Sequence, residues 1–330
     1  MDMKELLRVG LVGTGTVALD HLRGYRQNAR CKVAAVADVN SERGQTIAHD
    51  HGAAFYSDYG VMLKEARLDA VSVCLPHQLH YAAGMACAAA GAHVLMEKPI
   101  ALTLAEADSL LEEFEKRRLL LTVGFAHRFR PEFQEAERLI KSGALGTPAN
   151  ALDRLCTLGG KFPPSWVWDR GLAGGGILIW TGIHTLDRLR WLFASEPERV
   201  FAAVSTYAHK ADVEDGIAGV IEFANGAMAS INENSPPYGK LGEWTTEVFG
   251  NDGAIQITTG TGLDYVGIRG RYSQRFLDTR HFEAEIDEFI DAILSVRSPA
   301  ISGWDGRQAL AMTLALYESA RTHRAVIVPR

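Results

Sequence analysis

The chain has 330 residues, of which 47% are hydrophobic and 22% charged, with a mean hydropathy of −0.03 and a formal net charge of −6. That mild, dispersed negative charge argues against an electrostatic nucleic-acid binder, and no basic amphipathic helix or run of roughly 20 apolar residues points to a membrane. The length suits two domains with a core that needs neither disulfides nor metals.

In chain order, short apolar runs first alternate with helical patterns, the signature of a parallel sheet covered on both faces. Val9 to Val12 is the first run, followed by Gly13-Thr14-Gly15 and a helix through about Gln27. Further strands are expected at Val33 to Ala37, Ala53 to Tyr56, Ala70 to Leu75, His93 to Met96 and Leu119 to Val123. The clearest helices run from Tyr81 to Ala90 and from Thr103 to Lys116, where Thr103 and Glu106 form a capping-box pattern. Organisation changes near Gly124, so one domain is expected over residues 1–124 and a second over 125–330. A helix from Arg130 to Ser142 opens the second domain. Beyond Val200 the pattern turns period-two, as in Ile217 to Phe223, and Asn225-Gly226 supplies a tight hairpin turn. Glu247 to Ile257 reads as a second hairpin, and helices are expected near Phe282–Val296 and Asp305–His323. The fold class is therefore α/β, with an N-terminal doubly wound parallel sheet and a mostly antiparallel second domain.

Cys31, Cys74, Cys87 and Cys156 are scattered, with no C-x-x-C and no metal-ligand spacing. The opening residues Met1 to Glu5 lack the pattern of a secretory signal, so a cytoplasmic protein is expected. No His/Asp/Glu cluster has the spacing of an open metal site, and no metal is expected.

Gly13-x-Gly15-x-x-Ala18 follows one expected strand and opens a helix. The first glycine allows the tight turn, the second lets backbone approach a pyrophosphate, and the small third residue packs helix on strand. Thr14, Thr16 and Val17 complete the turn, whose free N–H groups meet the positive end of the helix dipole. Asp38 ends the second strand where a ribose-binding acid belongs; the bland alternative is that it caps the next helix. A carboxylate there accepts from a ribose 2′-hydroxyl and repels a 2′-phosphate, which favours NAD over NADP. Arg43, near enough to swing toward a phosphate, keeps NADP open.

Pro76-His77-Gln78-Leu79-His80 and then Ala89 to Pro99, ending in Glu97-Lys98-Pro99, resemble the glucose–fructose oxidoreductase/inositol dehydrogenase (Gfo/Idh/MocA-type) family. Further matches follow in order: Gly124 to Phe129 with Arg128, Gly143 to Gly146, Trp168, Gly174-Gly175-Gly176, and Gly182-x-His184-x-x-Asp187. The resemblance covers nearly the whole chain. It implies a Rossmann domain followed by an α/β domain with a large open sheet, a homodimer or homotetramer, and a Lys98-Pro99 bond expected to be cis. It also implies hydride transfer between a nicotinamide and a secondary alcohol or ketone of a sugar, polyol or derivative. Leu75, Pro76, His77, His80, Glu97 and Lys98 join the expected cofactor contacts. Lys98 is the candidate to hold the substrate oxygen, and His184 the candidate for proton transfer, since imidazole titrates near neutral pH. Arg128, Trp168, Trp180, Thr181 and His184 are the expected substrate contacts, with Trp166 and Arg170 further candidates for the cleft.

One position departs from the family pattern, which places an aspartate four residues before the histidine; Trp180 stands there. Indole accepts no proton and carries no charge. Three readings compete. Lys98 and His184 suffice while Trp180 reshapes the pocket for a bulkier or more apolar substrate; or Asp187, Asp169 or Asp153 substitutes; or catalysis is lost and the protein is a dinucleotide- or ligand-binding regulator.

Overall fold

A computed structural model describes residues 6–156, 164–236, 243–277 and 280–330. The N-terminal segment Met1 to Glu5 lies outside the described residues. The chain divides into two compact units, residues 1–126 with 280–307, and residues 127–279 with 308–330.

The first unit begins β1 (Leu7–Val12), α1 (Thr16–Gln27), β2 (Cys31–Ala37), α2 (Ser41–Asp50), β3 (Ala54–Tyr56) and α3 (Tyr59–Glu65). It continues with β4 (Ala70–Val73), α4 (His80–Ala89), β5 (His93–Met96), α5 (Leu104–Arg117) and β6 (Leu121–Val123). All six strands run parallel in the order β3-β2-β1-β4-β5-β6. This is a doubly wound sheet, whose ligands bind beyond the carboxyl ends of the strands. The central strands are almost wholly apolar because both faces are covered; every residue of β4 is buried. Thr103 caps α5 with the reciprocal Glu106 bond that the sequence suggested.

The second unit carries α6 (Pro131–Lys141), β7 (Pro148–Cys156), α7 (Arg170–Ala173), α8 (Ile183–Phe193), β8 (Pro197–Ser205), β9 (Gly216–Phe223) and β10 (Met228–Asn234). Then come β11 (Thr245–Gly250), β12 (Gly253–Thr258), β13 (Gly262–Gly267) and β14 (Gly270–Arg275). After α9 (His281–Leu294) and α10 (Gly303–Thr322), β15 (Val326–Ile327) closes a nine-stranded sheet, ordered β14-β13-β12-β11-β7-β10-β9-β8-β15. Among the described residues of this sheet, only the β7–β10 pair is parallel. Gly226, at φ +84°, turns the β9–β10 hairpin as expected.

The division differs from the sequence expectation in one respect. Residues 280–307 group with the first unit, not the second. The reason is packing: Ile286, Phe289 and Ile290 of α9 enter the cluster of Val9, Tyr25, Ala70 and Leu95 under the parallel sheet. A Cβ on Gly24 of α1 would lie 2.6 Å from Ile286, so the two helices meet without an intervening side chain. Among the described residues, no helix is long and apolar enough to cross a membrane.

Candidate active site

In the first unit the expected cofactor residues gather at the carboxyl ends of the parallel strands. Gly13 has φ +87°, and a Cβ there would overlap the Cys74 carbonyl oxygen, so only glycine fits the turn. Gly15 is the N-cap of α1; it makes no side-chain cap, and a Cβ on it would meet nothing within 4 Å. Ala18 is fully buried against β1. Thr16 and Val17 open α1, whose N-terminal N–H groups have no side-chain partner at the cap, the arrangement that receives phosphate.

Asp38 follows β2 directly. Its Oδ2 accepts from the Thr14 amide at 2.7 Å and the Thr14 hydroxyl at 2.5 Å, and its Oδ1 accepts from the Asn40 amide at 2.7 Å. Arg43 donates to Asp38 at 3.0 Å and to the Thr14 hydroxyl at 2.8 Å. Burial alone pushes the carboxyl up, but the Thr14, Asn40 and Arg43 donors outweigh it and hold Asp38 below its ordinary range. The bland reading of Asp38 as a helix cap does not match this geometry, since Asn40 caps α2 by accepting from the Arg43 amide. Arg43 is turned onto the acid.

Glu97 follows β5 directly, beside Lys98, and the Lys98–Pro99 peptide is cis. A Cβ on Gly124 would lie 2.7 Å from the Glu97 carboxylate, so that glycine makes room for the buried acid. Glu97 Oε1 lies 3.1 Å from His21 Nε2, and His21 Nδ1 lies 3.0 Å from the Ser72 hydroxyl. Burial opposes the imidazolium, yet the Cys74 sulfur and the Glu97 carboxylate hold His21 well above its usual value. Burial likewise raises Glu97, and His21 and then Lys98 bring it below the ordinary range. Nearby Glu285 is buried and pushed up to about 8 by that burial. Lys98 is half-buried, and its ammonium is lowered by burial, with Glu97 opposing. His80 spans two carbonyls, Pro99 at 2.6 Å and Leu75 at 2.8 Å, tying the end of β4 to the Glu-Lys-Pro turn. Burial lowers its pKa. His77 is buried, edge-on to His80 with ring centroids 5.7 Å apart. Leu75 and Pro76 form the link between β4 and the turn that carries these histidines.

In the second unit the glycine run is explained by one acid. Glu214 accepts from the Gly176 amide at 2.9 Å, the Leu178 amide at 3.1 Å and the Tyr317 hydroxyl at 2.7 Å. Gly174 takes φ +83°, a Cβ on Gly175 would overlap the Tyr317 hydroxyl, and one on Gly176 would overlap the Glu214 backbone. The segment thus anchored runs on as a π-helical turn, Leu178–Gly182, before α8 begins. Trp180 and Thr181 lie in that turn, so the simple α-helical i, i+4 relation of position 180 to His184 does not hold. Such π turns recur at functional sites. A Cβ on Gly182 would overlap the carboxyl of buried Glu233, which burial and then Asp153 hold well above the ordinary range.

Trp180, Thr181 and His184 are half-buried. The His184 ring stacks on His127, with centroids 4.3 Å apart and planes 13° apart. His127 Nδ1 accepts from Arg188 at 2.8 Å. Arg188 is fully buried and pairs with Asp153 at 3.0 Å, and Asp153 also accepts from Thr185, Trp244 and Thr246. The other expected residues divide. Arg128 is buried and grips Asp187 through two parallel bonds, one of 2.8 Å, so Asp187 faces an arginine as well as lying near His184 in sequence. Trp168 stacks on His209 at 4.1 Å. Trp166 lies in the same 3-10 turn, Asp169 caps α7, and Arg170 donates to the Asp212 carbonyl.

Sequence reasoning passed over His127, Arg188, Trp244, Glu233 and His21. For Arg188 a signal existed: it lies four residues after His184, hence on the same face of α8. His127, directly before Arg128, had none.

A family model described as an oxidoreductase family with an NAD-binding Rossmann fold matches residues 7–125. The Gfo/Idh/MocA C-terminal domain model matches residues 133–256. The chain is 31% identical to myo-inositol 2-dehydrogenase of Thermotoga maritima, over 97% of this chain and 98% of that one. It is 28% identical to 1,5-anhydro-D-fructose reductase of Ensifer adhaerens, over 96% and 97%. Among solved structures, an aldose-aldose oxidoreductase from Caulobacter crescentus, complexed with glycerol, superposes with a TM-score of 0.87 at 27% identity, covering 98% of this chain and all of that one.

Proposed function

Because the chain belongs to the Gfo/Idh/MocA oxidoreductase family, we propose that it transfers a hydride between NAD and a secondary alcohol or ketone of a sugar, polyol or derivative. The observation that carries the reading is the placement of Lys98. Half-buried Lys98 follows β5 in the same parallel sheet whose β1–α1 turn offers an uncapped helix N-terminus and whose second strand is followed by Asp38. The relatives act on cyclic substrates by name, inositol and anhydrofructose, which supports the substrate class.

Bound nicotinamide supplies the hydride acceptor or donor. Gly13, Thr14, Gly15, Thr16 and Val17 seat the pyrophosphate, and Asp38 accepts from the adenosine ribose. Leu75, Pro76, His77, His80 and Glu97 shape the wall beside it. Lys98 donates to the substrate oxygen. His184 takes the hydroxyl proton during oxidation and returns it during reduction. Trp180, Thr181 and Trp168 shape the substrate side; Arg128, engaged by Asp187, holds α8 in place. The open face of the nine-stranded sheet carries the exposed Phe201, Val220, Leu152, Phe249 and Val266, a row that a second copy of the chain covers. Light scattering showing a monomer at micromolar concentration would remove that last statement.

The test follows reduced-nicotinamide absorbance with NAD, and separately NADP, against sugars, polyols, sugar acids and glycosides, with Lys98→Met in parallel. Turnover that disappears in the variant supports the reading. Tight NADH binding without turnover across the panel would favour the regulator that Trp180 suggests.

A further inference from the structure

His184 would be a poor proton carrier if its ring swung freely, because a misplacement of about 1 Å costs up to ~100-fold in rate. The structure restrains it from one side. His127 lies 4.3 Å away and nearly parallel, and two side chains hold its own ring. Arg188 of α8 donates to its Nδ1 at 2.8 Å, and Trp244, ahead of β11, meets it edge-on at 5.0 Å. Its backbone lies in the 3-10 turn Ala126–Phe129.

A guanidinium only donates, so His127 Nδ1 must accept, and the ring carries its proton on Nε2 without charge. Arg188 has no freedom to let go. It is fully buried, its other arm reaches Asp153 at 3.0 Å, and its plane is packed against Phe133 at 4.5 Å and Trp244 at 4.3 Å. Asp153 in turn accepts from the Thr185 hydroxyl at 3.0 Å, the Trp244 indole at 2.9 Å and the Thr246 hydroxyl at 2.6 Å. His184 and Arg188 lie one turn apart on α8, so a single helix carries both the imidazole and the cation that holds its stacking partner.

Resting on the reading of His184 given above, we propose that His127 is its positioning residue: an uncharged imidazole, locked by Arg188 and Asp153, that fixes the plane of the His184 ring. It acts through His184 and touches no reacting atom.

The experiment is a double-variant cycle in the full-length protein, with His127→Ala, His184→Ala and both together, on the substrate that the unmodified protein turns over. His127→Ala lowers kcat by about 10- to 100-fold with KM within about threefold. In the His184→Ala background the same change costs less than about twofold, because its target is already gone. His127→Gln, whose amide oxygen still accepts from Arg188, keeps the melting temperature and shows the same kcat loss, which separates the stack from folding. Equal losses in both backgrounds, or full kcat in His127→Gln, overturn the proposal. Long-range proton–nitrogen NMR of the resting protein at neutral pH gives a readout free of turnover. It shows His127 protonated on Nε2 alone, and a His184 ring signal that broadens in His127→Ala. A proton on His127 Nδ1, or an unaltered His184 signal, also overturns the proposal. The expected NMR result in a protein that turns over nothing leaves the positioning in place and removes the proton-transfer role of His184.

Discussion

Replacing Glu285 with glutamine isolates the cost of one buried acid. The residue is 3% exposed on α9, near Glu97 and His21, and both carboxyl oxygens are buried without a hydrogen-bond partner among the described residues. Burial raises its pKa from an ordinary 4.5 to about 8. The folded state therefore keeps this proton over a range where the unfolded chain has lost it. For an acid raised in this way, the stability contribution is fully present below pH 4.5 and is lost as pH rises through 8. At about 1.36 kcal/mol per pH unit, the loss reaches about 3 kcal/mol at pH 7 and about 5 kcal/mol above pH 8. Glutamine removes the titration. Its buried amide adds a cost of its own, about 1–3 kcal/mol, but that cost does not vary with pH. Urea unfolding followed by circular dichroism at pH 5, 7 and 8.5 should thus show the variant gaining on the unmodified protein by about 2.5 kcal/mol between the first two points, and further at the third. A difference that stays flat across the three pH values would refute the account of Glu285 as a protonated buried acid.

Gly176→Ala is expected to destabilise by about 2–3 kcal/mol, because its Cβ meets the Glu214 backbone, which has no side-chain rotation with which to yield. Gly175→Ala should cost less in the same thermal melt, since it meets only the end of the Tyr317 side chain. Asp38→Ser removes the acid that Thr14, Asn40 and Arg43 hold in its ionised form and releases Arg43. The ratio of kcat/KM for NADP over NAD should rise by about 10- to 100-fold, and an unchanged ratio would take Asp38 out of the cofactor site. Lys98→Met should abolish turnover while the protein still binds NADH, as followed by fluorescence.

Much of the first unit was legible because its signals are local. Val9–Val12, Gly13-x-Gly15 and Asp38 follow one another within a single βαβ unit, and the six parallel strands and the Thr103 cap lie within a residue or two of where the pattern put them. In the second unit β7 was not legible. Its inward row, Ala151, Asp153 and Leu155, holds a charge, while its outward row holds exposed Leu152, so hydropathy does not alternate as the burial does. Asp153 is tolerated inside because Arg188, Thr185, Trp244 and Thr246 reach it from elsewhere in the chain.

The sequence by itself determined the residue types that the proposed chemistry needs, the glycine turn, the acid after the second strand, the Glu-Lys-Pro triplet and the histidine after Gly182. Each depends on neighbours within a few residues, where covalent spacing fixes direction. Tertiary structure decided which charges are already taken. Arg128 closes on Asp187, Arg43 on Asp38 and Arg188 on Asp153, and α9 returns to the first unit because Gly24 leaves room for Ile286. Those pairings join residues from 5 to 262 positions apart, as in Arg43 with Asp38 and Gly24 with Ile286. Burial makes the pairing of charges obligatory, but only the packed fold says which partner is within reach.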